Sequence, residues 1–178
     1  MINSTWEMVP CADVLYACDW QWWDRYHTQT ATFRGERWTC NDRAAVEFGL
    51  SHVEPIHGSE YKFRENTVHA GSNSGYQAIQ LAAMFGAQRI VLLGFDFQRT
   101  GGVTHWHGDH PAGFANGGDY KAWSQQMLLL AKDLNRRGVE VINCSRVSAL
   151  ECFKKEPLES ILELNHAANG RNDKARLE

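Results

Sequence analysis

Three histidines lie close together in the middle of the chain, at His105, His107 and His110. Imidazole titrates near neutral pH, so such residues can act as general bases, contact phosphate groups or bind metal ions. The same stretch is rich in glycine, because seven of the 15 glycines lie between Gly94 and Gly118. A loop of roughly twenty residues is uncommon inside a compact domain and is usually functional. This loop is therefore a candidate active site, in which the three histidines could serve as a general base, as phosphate contacts or as metal ligands.

The segment 104–110 also fits the pattern HxHxDH, which resembles the first zinc-binding motif of the metallo-β-lactamase fold. In that motif His105 and His107 would bind one metal ion, and Asp109 and His110 would reach a second. The fold requires further histidines downstream, and the sequence has one, His166. We therefore do not expect zinc here, and a metal-dependent hydrolase is kept as a minor alternative.

A second candidate site is the turn of small residues at 71–75, between a predicted strand and a predicted helix. Free backbone N–H groups at a helix start, together with the side chains of Ser72, Asn73 and Ser74 and the open backbone of Gly75, suit a phosphate or carboxylate. The alternative is a tight turn in which Ser72 or Ser74 caps the helix. The turn does not fit a Walker loop, because no GK[ST] follows.

Two further predicted strands end in polar or glycine residues. Gly94 and Asp96 follow the apolar run 89–93, and Asn143 and Ser145 lie at the end of the run 139–143. Asp96 could bind a ligand hydroxyl or a cation such as Mg²⁺, or it could hold its own loop in place. Ligands of open α/β sheets bind beyond the carboxyl ends of the strands, so these residues are expected to share one crevice with the turn at 71–75.

The elements that must position these residues alternate between strand and helix. The strongest signals are strands at 67–70, 89–94 and 139–143, separated by helices at 76–85 and 120–137. This order is typical of right-handed βαβ units. We predict a three-layer Rossmann-like α/β fold, with a mainly parallel sheet and helices on both faces. One domain is expected over residues 1–164, followed by a flexible tail at 165–178.

Composition narrows the class of protein. The chain has 178 residues, a formal charge of −3 and five cysteines without a CxxC pair. Residues 1–4 lack the basic and apolar regions of a signal peptide, and no stretch is apolar over the length of a membrane span, so a reduced, cytoplasmic protein is expected. The slightly acidic balance does not indicate a nucleic-acid surface.

Four aromatic residues follow the first predicted strand: Trp20, Trp22, Trp23 and Tyr26. Their rings could stack on sugars or bases, but packing against the sheet or in a subunit interface is the favoured interpretation. Together with an uncovered sheet edge, these aromatic residues suggest a homodimer.

The order of motifs resembles an uncharacterised family of small phage-encoded proteins. More distantly, it is similar to the Rossmann-like superfamily of motility-accessory-factor glycosyltransferases, archaeal hydroxymethylpterin diphosphokinases and bacterial CMP-sialic acid sialyltransferases. The resemblance covers about residues 1–150 and is carried by 3–5, 12–19, 71–75 and 90–96. Those families begin with a further strand and a phosphate-binding Gly-x-Gly-Pro-Ser-type turn, so the resemblance implies a fold that is shortened at its amino end.

The resemblance also implies residue roles. In the sialyltransferases an asparagine after the second strand and the Ser/Thr-Gly turn contact the nucleotide. A histidine in the loop after the Gly-x-Asp strand is the general base. In this chain those roles would fall on Asn3, on the turn 72–75 and on one of the three loop histidines, with a slight preference for His110.

The leading hypothesis is transfer of a group from a nucleotide donor, most simply by a glycosyltransferase-like enzyme that binds a nucleotide or nucleotide sugar. The resident cofactor is left open, with Mg²⁺ as a candidate. One alternative is a non-catalytic phage accessory protein that binds a nucleotide. Another is pyrophosphoryl transfer to a pterin with Mg²⁺ on Asp96 or Asp109.

Overall fold

The computed structural model describes residues 1–58, 64–71, 73–103, 114 and 117–163. The α-helices are α1 (Trp20–Tyr26), α2 (Asp42–Phe48), α3 (Ser74–Met84) and α4 (Tyr120–Arg136). The strands are β1 (Val14–Tyr16), β2 (Glu36–Thr39), β3 (Ser51–His52), β4 (Glu54–Ile56), β5 (Thr67–His69), β6 (Arg89–Leu92), β7 (Glu140–Asn143) and β8 (Lys154–Lys155). Short 3-10 helices span Asn3–Glu7 and Gln29–Thr32, and residues 158–163 are helical.

The described strands pair in parallel throughout, as the alternation of strands and helices predicts. They form three small sheets in the orders β1-β2-β3, β4-β5 and β6-β7-β8. The protein is therefore a mixed α/β fold with short parallel sheets.

The first two sheets are joined through one extended segment. Val53 lies between β3 and β4, and its N–H donates to the carbonyl of Thr39 at the end of β2 (3.0 Å). β4 then pairs with β5 in the register Ile56 to His69. The segment Ser51–Ile56 thus contacts β2 through its first half and β5 through its second half.

Alternating residues of β1 pack on different helices. Leu15 belongs to a core cluster with Trp23 of α1 and Ala44 of α2. Tyr16 belongs to another cluster with Val53, Val68 and Leu81, the last from α3. Because successive side chains of a strand point to opposite faces, β1 has α1 and α2 on one face and α3 on the other.

α3 connects this part of the molecule to the third sheet. Ile79 packs in a third cluster with Leu92 of β6 and with Met127 and Leu130 of α4. α4 begins at the cap Asp119, whose side chain accepts from the Ala122 N–H (2.9 Å). The continuous apolar run after Arg89 predicts burial on both faces, but Leu93 is 57% exposed, because β6 ends at Leu92.

Candidate ligand-binding crevice

The carboxyl end of β1 meets the start of α3. The Cys18 N–H donates to Ser74 Oγ (3.3 Å), and the Ser74 hydroxyl donates to Cys18 Sγ (3.0 Å). Ser74 is buried, and burial raises the pKa of the Cys18 thiol above its ordinary value of 9.0. The hydroxyl of Ser74, a predicted ligand contact, is therefore engaged in holding α3 against β1.

The first turn of α3 is capped by Asn73. Its Oδ1 accepts from the Tyr76 N–H (2.9 Å), so the expectation that Ser72 or Ser74 caps this helix is corrected for Ser74. An asparagine side chain reaches this N–H as readily as a serine does, so the sequence alone did not decide between them. Ser72 lies outside the described residues.

Gly75 marks the place where the end of β6 approaches α3. A Cβ at this position would lie 3.0 Å from Asn73 Oδ1 and 3.0 Å from a ring carbon of Phe95. The first N–H groups of a helix have no partner within the helix. The first turn of α3 therefore presents donor groups beside the ends of β1 and β6.

Two glutamines of α3 make hydrogen bonds to the carboxyl ends of β1 and β5, and sequence reasoning missed them. Gln77 Oε1 accepts from the Tyr16 hydroxyl (2.9 Å), and its Nε2 donates to the carbonyl of Ala70. Gln80 Oε1 accepts from the His69 N–H (2.8 Å), and its Nε2 donates back to the His69 carbonyl (3.2 Å). Two amides three residues apart in an otherwise apolar helix were the available signal.

Burial also acts on the other polar groups under α3. Desolvation raises the pKa of the Tyr16 hydroxyl and of the Cys40 thiol, whose Sγ contacts Gln77 Oε1 at 3.7 Å. Both groups stay protonated at neutral pH. The side chains of Tyr16, Cys40 and Gln77 consequently form an uncharged hydrogen-bond network that positions strands.

Asn3 differs from all of these residues. It follows Ile2, which pairs in parallel with Tyr16, and it has a left-handed backbone (φ 46°). Its Oδ1 is shielded from solvent and has no hydrogen-bond partner among the described residues. Such an atom is costly unless a further donor reaches it. Asn3 thus supplies an acceptor without a partner next to the end of β1.

The predicted binding residues at the ends of β6 and β7 contact one another. Asn143 is 1% exposed, and it accepts from the Ser145 N–H (3.0 Å) and donates to Ser148 Oγ (2.9 Å). Ser145 Oγ in turn accepts from the Phe95 N–H (2.7 Å). Asn143 and Ser145 therefore connect β6 to β7.

Asp96 and Gly94 belong to the same loop. Asp96 Oδ2 accepts from the Thr100 hydroxyl (2.8 Å), and its carbonyl accepts from the Ala149 N–H (2.8 Å). Asp96 was expected either to bind a ligand or to hold its own loop in place, and these hydrogen bonds show it holding the loop. Gly94 is exposed and has a positive φ of 73°, which lets the chain turn directly after β6.

The histidines of the predicted catalytic loop, His105, His107 and His110, lie outside the described residues, and so does Asp109. In the aromatic group, Trp22 and Trp23 are buried in the core, and Trp23 Nε1 donates to the Ala17 carbonyl (2.9 Å). Packing is thus the role of these two rings.

Comparisons with family models, with curated proteins and with solved structures find no match to the chain. Within the residues that the structure describes, no helix combines the length and the apolar character that crossing a membrane requires. All five cysteines are free thiols.

Proposed function

We propose that the chain binds a nucleotide or nucleotide sugar at the carboxyl ends of β1, β5 and β6, around the first turn of α3. In this proposal the fold is a three-layer Rossmann-like fold, in which α3 crosses from the second sheet to the third. Helices on both faces of β1 support that arrangement. Phosphate oxygens would accept from the N–H groups of the first turn of α3.

The observation that carries the proposal is the unpartnered Oδ1 of Asn3. Asn3 directly follows Ile2, which pairs with Tyr16 of β1. The chain just after β1 contacts Ser74 through Cys18. A carboxamide oxygen accepts from an exocyclic amino group of a base or from a ribose hydroxyl. In this proposal a nucleotide would donate to the Asn3 oxygen and would accept from the N–H groups of Ser74 and Gly75, which precede the capped Tyr76 N–H.

A binding experiment tests this step. The chain is screened by thermal shift against CMP, UDP, GDP, ADP and their sugar conjugates, with and without Mg²⁺, and hits are titrated by calorimetry. Asn3→Gly removes the acceptor while keeping a residue that tolerates the left-handed backbone. The matched control is Asn66→Gly, since Asn66 also has a positive φ (58°) but is exposed and precedes the amino end of β5.

We expect Asn3→Gly to weaken nucleotide binding by about tenfold, the worth of one hydrogen bond, and Asn66→Gly to leave it unchanged. The proposed binding site is wrong if no nucleotide stabilises the chain. It is equally wrong if Asn3→Gly binds as tightly as the parent.

We further propose that a histidine of the segment 105–110 removes the proton of an acceptor hydroxyl, which makes the chain a glycosyltransferase-like enzyme. The step would form a bond from the acceptor oxygen to the transferred group and break the bond between that group and the donor phosphate oxygen. The nucleotide would leave with that oxygen and its electron pair, and the acceptor proton would pass to the imidazole. Replacing the general base by alanine should lower the transfer rate by roughly 10²- to 10⁴-fold and leave nucleotide affinity unchanged.

A non-catalytic nucleotide-binding protein is the second candidate. One observation favours it, because the hydroxyl of Ser74 and the amide of Asn143 make hydrogen bonds inside the protein that hold strand ends in place. The histidine variants separate the two candidates. If the parent binds a nucleotide sugar and neither transfers nor hydrolyses it, and the alanine variants at His105, His107 and His110 behave identically, the accessory role is correct.

A further inference from the structure

A second group of polar side chains lies at the start of α2, away from the crevice. Asn41 caps this helix by accepting from the Ala44 N–H (2.9 Å), which makes Asp42 its first residue. His52 is in β3 and Glu54 is in β4. Because they are two residues apart in an extended segment, both point to the face opposite Val53. Val53 packs into the cluster that contains Leu81 of α3, so His52 and Glu54 lie on the other face of the sheet.

This placement brings three potential metal ligands together. One ligand atom from each of Asp42, His52 and Glu54 lies within 4.8 Å of the other two. The group combines an imidazole nitrogen with two carboxylates, and it comes from a helix start and two consecutive strands. It is thus more than a set of acidic side chains on one surface.

The contact between His52 and Asp42 has an unusual geometry. Nε2 of His52 lies 3.1 Å from Asp42 Oδ1. Nε2 is nevertheless shielded from solvent and makes no aligned hydrogen bond to any described residue. Two ligands at about 2.0–2.2 Å from a tetrahedral metal ion are separated by about 3.3–3.6 Å. The observed 3.1 Å is close to that spacing, and the two atoms lack the direction of a hydrogen bond between them.

We propose that Asp42, His52 and Glu54 form a binding site for a divalent transition-metal ion of the Zn²⁺ class, with water completing the coordination. Imidazole nitrogen suits Zn²⁺, whereas Mg²⁺ prefers oxygen ligands and keeps its own water, so the site selects the former. A bound ion connects the start of α2 to the segment that joins the first two sheets. The site shares no residue with the HxHxDH segment or with the proposed nucleotide site.

The test must separate this site from the loop histidines. The parent for the experiment therefore carries His105→Ala, His107→Ala and His110→Ala. Zn²⁺ is titrated in competition with a chromogenic chelator, and the melting temperature is measured with Zn²⁺ and with Mg²⁺. Co²⁺ is used as a spectroscopic probe, because its visible absorption reports coordination number. His52→Ala and Glu54→Gln remove one ligand each, and His57→Ala, an exposed histidine just beyond β4, is the matched control.

We expect the loop-substituted parent to bind one Zn²⁺ per chain and to melt at a higher temperature with Zn²⁺ than with Mg²⁺. His52→Ala should lower the Zn²⁺ affinity on the order of 100-fold, since changes in outer-shell partners alone cost about 10- to 100-fold. Glu54→Gln should also lower the Zn²⁺ affinity. Because Glu54 is exposed, this substitution should leave the fold intact. The control variant His57→Ala should bind Zn²⁺ with the affinity of the loop-substituted parent.

Three results would overturn the proposal. The first is a loop-substituted parent that binds no Zn²⁺. The second is a His52→Ala variant that keeps the parent affinity. The third is a His52→Ala variant that loses the same stability with and without Zn²⁺, which would identify an ion pair between His52 and Asp42 instead.

Discussion

The end of β1 and the ends of β6 and β7 carry similar residue types but use them differently. At β6 and β7, the side chains of Asn143, Ser145 and Asp96 all accept hydrogen bonds from residues of the loops that follow these two strands. Asn3 follows the residue that pairs with Tyr16 of β1, and its Oδ1 is shielded without a partner among the described residues. A polar side chain at a strand end is therefore weak evidence for ligand binding. An acceptor that the protein leaves unsatisfied is stronger evidence.

The largest effect is expected at β7. Asn143→Ala removes two hydrogen bonds from a residue that is 1% exposed. It leaves the Ser145 N–H without its partner and takes one donor from Ser148 Oγ, which keeps its bonds to Phe95 and Leu150. We expect the free energy of unfolding to fall by about 2–3 kcal/mol, measured by chemical denaturation. Asn135→Ala, on the exposed side of α4, is the control and should change it by less than about 0.5 kcal/mol. If Asn143→Ala instead weakened nucleotide binding at unchanged stability, the contrast between the two regions would disappear.

The loss of stability at alkaline pH is expected to be the next largest effect, and it should differ between the end of β1 and the sheet of β6 to β8. Burial raises the pKa of the Cys18 thiol beside α3, and it raises that of Cys152 near β8 to about 11. A thiol with a raised pKa contributes stability that is fully present below its ordinary value of 9.0 and is lost as the pH rises through the folded value. Each such group lowers stability by at most about 1.4 kcal/mol per pH unit.

The melting temperature should therefore fall above about pH 9. Cys152→Ala should remove a part of the decrease that ends near pH 11, the pKa of that thiol. Cys18→Ala should remove a part that continues to higher pH. Both variants are compared with Cys11→Ala, an exposed cysteine. Identical alkaline curves for the parent and Cys18→Ala would contradict the burial of this thiol against Ser74.

The cap of α3 gives an intermediate effect. Asn73→Ala removes the acceptor of the Tyr76 N–H and should cost about 1 kcal/mol. Asn73→Asp keeps an acceptor, so stability should stay within about 0.5 kcal/mol, while the added negative charge should weaken the binding of an anionic ligand. Denaturation and nucleotide titration on both variants check this. Equal nucleotide affinity in Asn73→Asp and the parent would place the phosphate elsewhere.

The smallest change in stability is expected at Asn3. Asn3→Gly removes an acceptor whose burial without a partner costs free energy, and the greater backbone freedom of glycine in the unfolded chain offsets that gain. The free energy of unfolding should therefore change by less than about 0.5 kcal/mol. A loss comparable with that of Asn143→Ala would show that Asn3 holds the fold as Asn143 does. The two asparagines would then have the same structural role.

The sequence predicted the local elements well, because local signals specify them. Gly49 ends α2 in the left-handed region (φ 62°), as expected for a glycine after a short helix. α4 was expected at 120–137 and is observed as Tyr120–Arg136. The strand after Arg89 and the strand before Asn143 are likewise observed, as β6 and β7.

Contacts between distant elements were not predictable in the same way. The pairing of Gln77 with Tyr16 joins residues 61 positions apart, and the bond from Phe95 to Ser145 joins residues 50 apart. No local pattern reports which strand end α3 touches. The approach of His52 to Asp42 was missed for the same reason, since it depends on how α2 returns to the sheet.

The extended segment around Val53 has a consequence for how the protein opens. Since Ser51–Ile56 donates and accepts along both β2 and β5, neither pairing can separate without disturbing the other. Amide hydrogens of these strands should therefore exchange with solvent together, as one cooperative opening unit, under native conditions. Among the described strands, β6, β7 and β8 pair only with one another. Their amide hydrogens are therefore expected to exchange at rates independent of those of the first two sheets.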